Sequence, residues 1–308
     1  MKVHQGLDHL PLFQNAVITM GTFDGVHSGH QEIINKILAE AIRVKGESVL
    51  ITYEPHPRKI IVPQQEVKLL TCLDEKIEVL QSFGLDHLVL ISFTKSFAEQ
   101  TASEYVEDFL IKKFQPHTLV IGHDHHFGKN RSGNLNLLKQ YEAQHAFEIL
   151  EIEAQTIHDI EISSTKIRNA ITEGDVATAN TYLNRPYAIK AKVVHGKKRG
   201  RSIGFPTANL ELLCQEKIAP KFGVYAVYVQ VGKKQYSGML NIGYNPTFEN
   251  NNSCTIEVHI IDFDQDIYDE IIQVRFVHRI RDEQKFLSIE DLIAQLHDDK
   301  LSTLRLLP

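Results

Sequence analysis

The glycine-rich segment from Gly21 to His30 constrains the first half of this chain more than any other feature. It follows an apolar, β-branched run at residues 16–20 and precedes apolar residues at helical spacing, from Ile33 to Ile42. This order predicts a strand, a glycine loop and a helix. Such a loop presents backbone N–H groups and the positive end of a helix dipole, which both favour an anion. The segment therefore predicts a phosphate-binding site.

Two histidines in this loop are candidate catalytic residues. His27 and His30 lie three residues apart, so at the start of the helix both imidazoles project to the same face. Nucleotidyl transfer, in which a substrate oxygen attacks the alpha phosphate and pyrophosphate leaves, can proceed with positioned donors and no protein nucleophile. The other interpretation is a tight turn with solvated histidines, because short motifs also match by chance.

Composition favours small phosphorylated ligands over polymers. A chain of 308 residues, 43% hydrophobic and 23% charged, is long enough for two ordinary soluble domains. Its net charge of -6 gives no general attraction to nucleic acid or to acidic membranes. Residues 1–12 lack the pattern of a secretory signal, and no apolar run is long enough to span a membrane. We expect a cytoplasmic protein that binds neither nucleic acid nor membranes, of unknown oligomeric state.

Strand and helix patterns alternate through residues 1–184, which predicts a doubly wound α/β domain with a parallel sheet. Further strands are predicted at residues 47–53, 85–93, 119–121 and 147–152, with helices at residues 73–83, 103–114, 164–171 and 175–183. Ligands of such sheets gather at the carboxyl ends of the strands. His56 follows one strand and is a candidate substrate contact, although a loop histidine without a partner is usually only solvated.

The loop at residues 122–133 is dense in histidine and glycine. His123, Asp124, His125 and His126 are possible metal ligands, but consecutive loop residues do not all point inward, and no helical HxxxH pattern supports zinc. We favour the alternative interpretation, a substrate loop.

The pattern changes near residue 185, where we place the boundary between a domain of residues 1–184 and a domain of residues 185–308. Closely spaced strands are then predicted at residues 189–194, 224–231, 236–242, 256–263 and 271–276, before a terminal helix from residue 289. This predicts a small antiparallel β-barrel with one helix. A basic stretch at residues 195–210 lacks the Gly-Lys-Ser/Thr ending of a P-loop, and such runs are most often solvated or face nucleic acid.

Several motifs of the first half resemble FAD synthetases. Residues 21–30 resemble the signature of HxGH nucleotidyltransferases, in its flavin branch. Residues 122–133 resemble the GxDFRFG segment, except that His125 and His126 replace Phe and Arg, which removes a fixed charge. Residues 162–168 resemble the ISSTxIR motif, which cradles the triphosphate, although a Ser-Ser-Thr start is most often simply a helix cap.

The second half resembles riboflavin kinases. The sequence Pro206-Thr207-Ala208-Asn209 resembles their signature, which implies that Thr207 and Asn209 hold Mg²⁺ against ATP phosphates. Glu257 alternates with apolar neighbours along a strand, and its position matches the base toward the ribityl 5′-hydroxyl. One departure is Asp269, where Gly is usual.

Over nearly the whole chain, the motifs follow the order of the bifunctional bacterial riboflavin kinases and FMN adenylyltransferases. The resemblance implies catalytic roles for Glu257, His27 and His30 and metal ligation by Thr207 and Asn209. The implied nucleotide-binding residues are Gly21, Phe23, Gly25, Gly29, Asp124, Ser164, Thr165, Arg168, Gly200, Arg201, Gly204 and Pro206. The implied flavin-binding residues are His56, Phe127, Arg131, Asn241, Arg281 and Phe286.

The expected function is FAD biosynthesis from riboflavin, with ATP as co-substrate and Mg²⁺ as cofactor. The barrel would phosphorylate riboflavin to FMN, and the α/β domain would adenylylate FMN to FAD and release pyrophosphate. One alternative is a chain in which only the kinase works, because the histidine substitutions at residues 125 and 126 weaken the other site. Another is a flavin-sensing or nucleic-acid-binding module, which only the basic loop supports and the acidic net charge opposes.

Overall fold

The computed structural model describes residues 1–122, 125–145, 147–152, 156–157, 160–196, 199–244 and 254–307. The chain divides into two compact units, Met1–Ser163 and Ser164–Pro308. Across the described ranges, no helix combines the length and the apolar character needed to cross a bilayer.

The elements of the first unit alternate as the sequence predicts. Its strands are β1 Lys2–Gln5, β2 Val17–Met20, β3 Ser48–Glu54, β4 His87–Ser92, β5 Thr118–Gly122, β6 Glu148–Ile152, β7 Thr156–Ile157 and β8 Ile160–Glu161. Its α-helices are α1 Ser28–Val44, α2 Pro57–Ile61, α3 Leu73–Gln81, α4 Lys95–Ala98, α5 Ala102–Glu104, α6 Lys112–Phe114 and α7 Leu135–His145. A π-helix, Tyr105–Ile111, joins α5 to α6, and a 3₁₀ turn forms at Lys129–Arg131.

Six of these strands form a parallel sheet in the order β1-β4-β3-β2-β5-β6. Strands β3 and β4 lie on one side of β2 in the sheet, and β5 and β6, which come later in the chain, lie on its other side. Strand order therefore reverses between β2 and β5, and ligands of open α/β sheets bind at such a reversal. Strand β2 ends just before Gly21 and strand β5 ends at Gly122, so both strands end at this reversal.

Side chains of one strand alternate between two apolar cores, because successive residues of a strand face opposite sides of the sheet. Ile18 belongs to the core that includes the π-helix and α7, whereas Val17 belongs to the core that includes α1 and α3. Val49 and Leu50 divide in the same way. Apolar cores on both faces confirm the predicted doubly wound architecture.

The second unit is a closed barrel with flanking helices. Its helices are α8 Ser164–Glu173, α9 Val176–Leu183, α10 Arg199–Ser202 and α11 Ile289–Leu306. Its strands are β9 Tyr187–Val194, β10 Ala208–Leu212, β11 Gly223–Val231, β12 Lys234–Tyr244, β13 Cys254–Ile260 and β14 Ile271–Arg281. They close in the order β10-β13-β12-β11-β14-β9, and all these pairs are antiparallel. The predicted barrel and terminal helix are confirmed.

The predicted set of barrel strands was incomplete, because β10 also belongs to the barrel and closes it between β9 and β13. This strand has only five residues, and only Leu210 among them is fully buried. A pattern with so little apolar alternation does not indicate a strand in the sequence alone. The missed strand carries Asn209, one of the predicted metal ligands.

The helices α8 and α9 precede the predicted boundary near residue 185, yet they pack within the second unit. The Asn180 amide donates to the carbonyl of Phe276 at 2.9 Å and accepts from the N–H of Tyr187 at 2.6 Å. The N–H of Lys221 donates to the carbonyl of Ile171 at 3.2 Å. The boundary near residue 185 stays a prediction, and these contacts supply a test of it.

Candidate active sites

We call residues 21–30 the histidine loop. Its backbone is left-handed at Phe23, Gly25 and Val26, with φ values of 46°, 86° and 39°. The N–H of Val26 donates to the carbonyl of Phe23 at 3.2 Å, which closes a tight turn. The side chains of Phe23 and Val26 are buried in the core beneath α1. These two residues therefore anchor the loop through packing, and the ring of Phe23 lies only 4.9 Å from that of His30.

The two histidines stack at the start of α1, with ring centroids 3.7 Å apart and an angle of 19° between the planes. His27 is the N-cap of the helix, and its Nδ1 accepts from the backbone N–H of His30 at 3.4 Å. A neutral imidazole that accepts at Nδ1 carries its proton on Nε2, so the outer nitrogen of His27 is a donor. The structure thus brings together the two predicted catalytic groups.

The charge pattern of α1 also suits an anion. Its first turn contains Gly29 and no acidic residue, so the turn itself adds no negative charge at the positive end of the helix dipole. The helix is 17 residues long, enough for a full terminal field. Backbone, dipole and imidazole donors therefore meet in one loop at the strand-order reversal.

The predicted flavin contacts of the first unit have other partners as well. His56 caps α2, and its Nδ1 accepts from the N–H of Arg58 at 3.2 Å. The ring of Phe127 is buried and lies 5.0 Å from that of Tyr105 at an angle of 27°. Arg131 is exposed in the 3₁₀ turn. Flavin contact by these residues stays a prediction.

Four of the predicted nucleotide-binding residues are not among the described residues of the first unit. Ser164, Thr165 and Arg168 lie in the first two turns of α8, which belongs to the second unit. Asp124 lies outside the described residues. The role of all four beside the triphosphate stays a prediction.

In the second unit, three polar residues face one another across neighbouring strands. Asn209 on β10 pairs with Glu257 on β13, and Glu257 pairs with Asn241 on β12. We call these three residues the carboxylate row. The hydroxyl of Thr207 donates to Oε2 of Glu257 at 3.1 Å. Glu257 is half-buried, whereas its neighbour Val258 points into the barrel and is fully buried.

The oxygen atoms of this group fit a hard divalent cation. Thr207 supplies a hydroxyl oxygen and Asn209 an amide oxygen, which are ligands that Mg²⁺ prefers, and the Glu257 carboxylate beside them adds negative charge. Within the described ranges, no group of three or more His, Cys, Asp or Glu side chains is placed to hold a metal ion.

One glycine in this region escaped the sequence interpretation. A Cβ atom on Gly196 would lie 2.0 Å from Nδ2 of Asn209, so a larger residue there would displace the Asn209 amide from its present position. A glycine whose contact lies thirteen positions along the chain gives no local signal. Close approach of a backbone is the physical reason for this residue.

The basic loop that precedes the carboxylate row folds back on itself. The N–H of Phe205 donates to the carbonyl of Gly200 at 2.9 Å, and Gly204 has a φ of 82°. Nδ1 of His259 donates to the carbonyl of Pro206 at 2.8 Å, which holds the end of the loop on β13. Arg201 is exposed.

A cavity of about 550 Å³ adjoins this loop. Residues 203–206 form one wall, and β13 with the residues that follow it forms another. His297 and Lys300 of α11 complete the lining. A concave space of this size suits a small molecule.

The predicted flavin-binding arginine is tied to the terminal helix. The guanidinium of Arg281 donates to both carboxylate oxygens of Asp299 at 2.8 to 3.1 Å, and Asp299 is 1% exposed. The ring of Phe286 lies 5.8 Å from the guanidinium carbon. Arg281 therefore ties the end of β14 to α11 through Asp299. Flavin contact by Arg281 and Phe286 stays a prediction.

The structure accounts for Asp269, which stands where glycine is usual. Its φ is 63°, in the left-handed region that glycine adopts most easily. Its carboxylate pairs with Lys192 at 2.7 Å, and this ammonium lowers the pKa of Asp269. The substitution therefore keeps the turn.

Comparison with known proteins covers both units. The family model described as FAD synthetase matches residues 11–166, and the one described as riboflavin kinase matches residues 183–307. A bifunctional riboflavin kinase/FMN adenylyltransferase of Listeria monocytogenes is 39% identical over 290 residues, which cover 94% of this chain and 91% of that protein. The Escherichia coli protein of the same name is 35% identical, with 98% and 96% covered.

A crystal structure also matches the chain as a whole. It is described as a macrolide-efflux protein from Streptococcus pneumoniae, and it aligns with a TM-score of 0.91 and 33% identity. The alignment covers 98% of both chains. That crystal structure carries a different name from the relatives in Listeria monocytogenes and Escherichia coli, although its fold matches that of this chain.

Proposed function

The chain belongs to the family of bifunctional riboflavin kinases and FMN adenylyltransferases, and from that premise we propose which residues carry each reaction. The protein phosphorylates riboflavin with ATP to FMN, and it adenylylates FMN with ATP to FAD and pyrophosphate. Its substrates are therefore riboflavin, FMN and ATP, and these reactions use a divalent metal. The observation that supports this assignment most strongly is that stacked histidines begin α1 in the first unit, whereas the second unit contains a separate cluster of oxygen-bearing side chains around Glu257.

Adenylyl transfer belongs to the histidine loop. A phosphate oxygen of FMN attacks the alpha phosphorus of ATP in line, and pyrophosphate leaves. Nε2–H of His27, the stacked ring of His30 and the N-terminus of α1 offer donors and positive potential for the charge that develops. The role of these residues is to orient the triphosphate and to stabilise the transition state.

Phosphorylation of riboflavin belongs to the carboxylate row. Glu257 accepts the proton of the ribityl 5′-hydroxyl as that oxygen attacks the gamma phosphorus. Thr207 and Asn209 would hold Mg²⁺, which when bound offsets the charge of the phosphates. The Thr207 hydroxyl already donates to the Glu257 carboxylate, so the base is oriented before substrate arrives.

The cavity adjoins Pro206, the residue before the proposed metal ligand Thr207, so it lies beside the site that would hold the phosphates of ATP. Phe205 packs edge-on against His259 at 5.2 Å between ring centroids, and this pair stiffens the cavity wall. We therefore assign the adenosine moiety of the kinase's ATP to this cavity. A cytoplasmic location stays a prediction.

The test uses the full-length protein with riboflavin and MgATP, followed by separation of the flavins. FAD as the end product, with FMN appearing first, is the expected result. FMN as the end product would show that the adenylyltransferase step is absent, and unchanged riboflavin would show that the kinase step is absent. Supplied FMN then tests adenylylation by itself. Removing the divalent metal with a chelator should stop both steps.

A further inference from the structure

Two buried side chains hold one backbone carbonyl of the histidine loop. Nζ of Lys76 on α3 donates to the carbonyl of Thr22 at 2.8 Å, and Oγ1 of Thr52 on β3 donates to the same oxygen at 3.1 Å. Lys76 is 5% exposed and Thr52 is fully buried. Burying an amino group is unfavourable unless it is well bonded. Burial accordingly lowers the pKa of Lys76, and the carboxylates of Asp24 and Glu54 oppose that effect.

The bond to this carbonyl determines where the next amide points. In a planar trans peptide the C=O and the N–H point in opposite directions, so fixing the Thr22 carbonyl toward Lys76 turns the Phe23 N–H away from it. Phe23 has a φ of 46°, which is strained for a residue with a side chain. Such a conformation persists only where neighbouring groups hold it.

The residues just before α3 hold the rest of the loop in the same way. The carboxylate of Asp24, which is 1% exposed, accepts from the N–H groups of Leu70 and Thr71, both at 3.0 Å. The N–H of Gly25 donates to the hydroxyl of Thr71 at 3.0 Å. Residues 70–76 therefore contact the histidine loop at Thr22, Asp24 and Gly25, and Lys76 supplies the contact at Thr22.

We propose that Lys76 is a positioning residue for adenylyl transfer, which acts through the Thr22 carbonyl to aim the Thr22–Phe23 peptide N–H at the phosphates of ATP. This inference rests on the proposed function of the histidine loop. The competing explanation is that Lys76 only supports folding. The two differ in what the loss of the amino group changes: a positioning role affects the use of ATP, whereas a folding role affects stability and every substrate together.

The experiment compares Lys76→Met with the wild-type full-length enzyme, and uses Lys139→Met, an exposed lysine of α7, as the matched control. Four quantities are measured: kcat/KM for ATP in FAD formation, KM for FMN, the rate of riboflavin phosphorylation and the Tm. We expect Lys76→Met to lower kcat/KM for ATP by about tenfold or more, with KM for FMN within about twofold. The kinase rate and the Tm of Lys76→Met should stay at wild-type values. The control Lys139→Met should match the wild type in all four quantities. An unchanged kcat/KM for ATP, or a loss shared by FMN and accompanied by a lower Tm, would overturn the proposal.

A second variant keeps the inference testable if Lys76→Met does not fold. Thr52→Val removes the other donor to the same carbonyl and keeps the shape of the side chain. It should lower kcat/KM for ATP by about threefold or more without changing KM for FMN. In the double variant the combined loss should differ from the product of the two single losses, because both donors act through one atom. Independent, multiplicative losses would contradict that shared action.

His30→Ala separates this inference from the proposed function beneath it. If FAD formation survives His30→Ala, the histidine loop is not the adenylylation site and the proposed function fails. If His30→Ala abolishes FAD formation while Lys76→Met and Thr52→Val retain wild-type kcat/KM for ATP, only the positioning role fails.

Discussion

We propose that the histidine loop and the carboxylate row both bind ATP phosphates, and the two sites are assembled in different ways from the chain. The histidine loop is continuous in sequence, and its shape depends on buried contacts from β3 and from residues 70–76. The carboxylate row joins three separate strands, and only the register of the barrel aligns Asn209, Glu257 and Asn241. A local motif therefore identifies the first site from sequence, whereas the second exists only after the barrel closes.

The largest effect is expected for Glu257→Gln, which keeps the size of the side chain and removes the proton acceptor. Riboflavin phosphorylation should fall by about a hundredfold or more, because general bases contribute on that scale. Adenylylation of supplied FMN should be unaffected. Timed separation of the flavins measures both steps in one sample. Normal FMN formation would reduce Glu257 to a surface residue of the barrel.

His30→Ala tests the histidine loop in the same way. It should lower FMN adenylylation by about a hundredfold or more, as the loss of a transition-state donor does. Riboflavin phosphorylation in the same preparation should stay near wild type, since the carboxylate row lies in the other unit. Equal loss of both activities would contradict the assignment of one site to each unit.

The boundary between the units predicts a difference in stability. A fragment of residues 164–308 keeps α8 and α9, whereas a fragment of residues 185–308 loses the contacts of Asn180 and exposes the apolar surface beneath Val176, Ala179 and Leu183. The shorter fragment should melt about 10 °C lower or more, because each kcal/mol shifts the Tm of a small domain by about 4–8 °C. Calorimetry of both fragments measures this difference. Equal Tm values would place the working boundary near residue 185.

The smallest expected effect is on the pH dependence of stability. Burial lowers the pKa of His259, Lys300 lowers it further, and its bond to the Pro206 carbonyl and the charge of Asp262 oppose the shift. The unfolded chain then takes up a proton first, near pH 6.5, so the barrel loses stability as the pH falls below that value. His259→Asn keeps a donor but does not titrate.

For wild type, the Tm of the barrel transition should therefore fall between pH 7.5 and pH 5.5, and for His259→Asn it should fall by about 1–2 °C less. Differential scanning calorimetry at the two pH values measures this. Parallel pH profiles would show that His259 does not contribute to acid sensitivity.

Sequence reasoning predicted the strand, loop and helix around His27 and His30, because glycine, β-branched and helical signals lie side by side there. It missed β10, whose pairing depends on strands distant in the chain. It also missed Lys76, since a lysine in an amphipathic helix usually faces solvent, and only the fold places it beneath Thr22. Sequence reasoning also did not show that the rings of Phe23 and Phe127 are buried by packing, and ligand contact by these two residues stays a prediction.

Mixing the two variants tests the proposal that the two reactions use separate sites, one at the histidine loop and one at the carboxylate row. His30→Ala and Glu257→Gln proteins are each incubated with riboflavin and MgATP, alone and together, and the flavins are separated. Alone, the first should stop at FMN and the second should leave riboflavin unchanged. Together they should produce FAD, because FMN released by one protein is adenylylated by the other. If either variant loses both riboflavin phosphorylation and the adenylylation of supplied FMN, the two reactions do not use separate sites and the proposal is wrong.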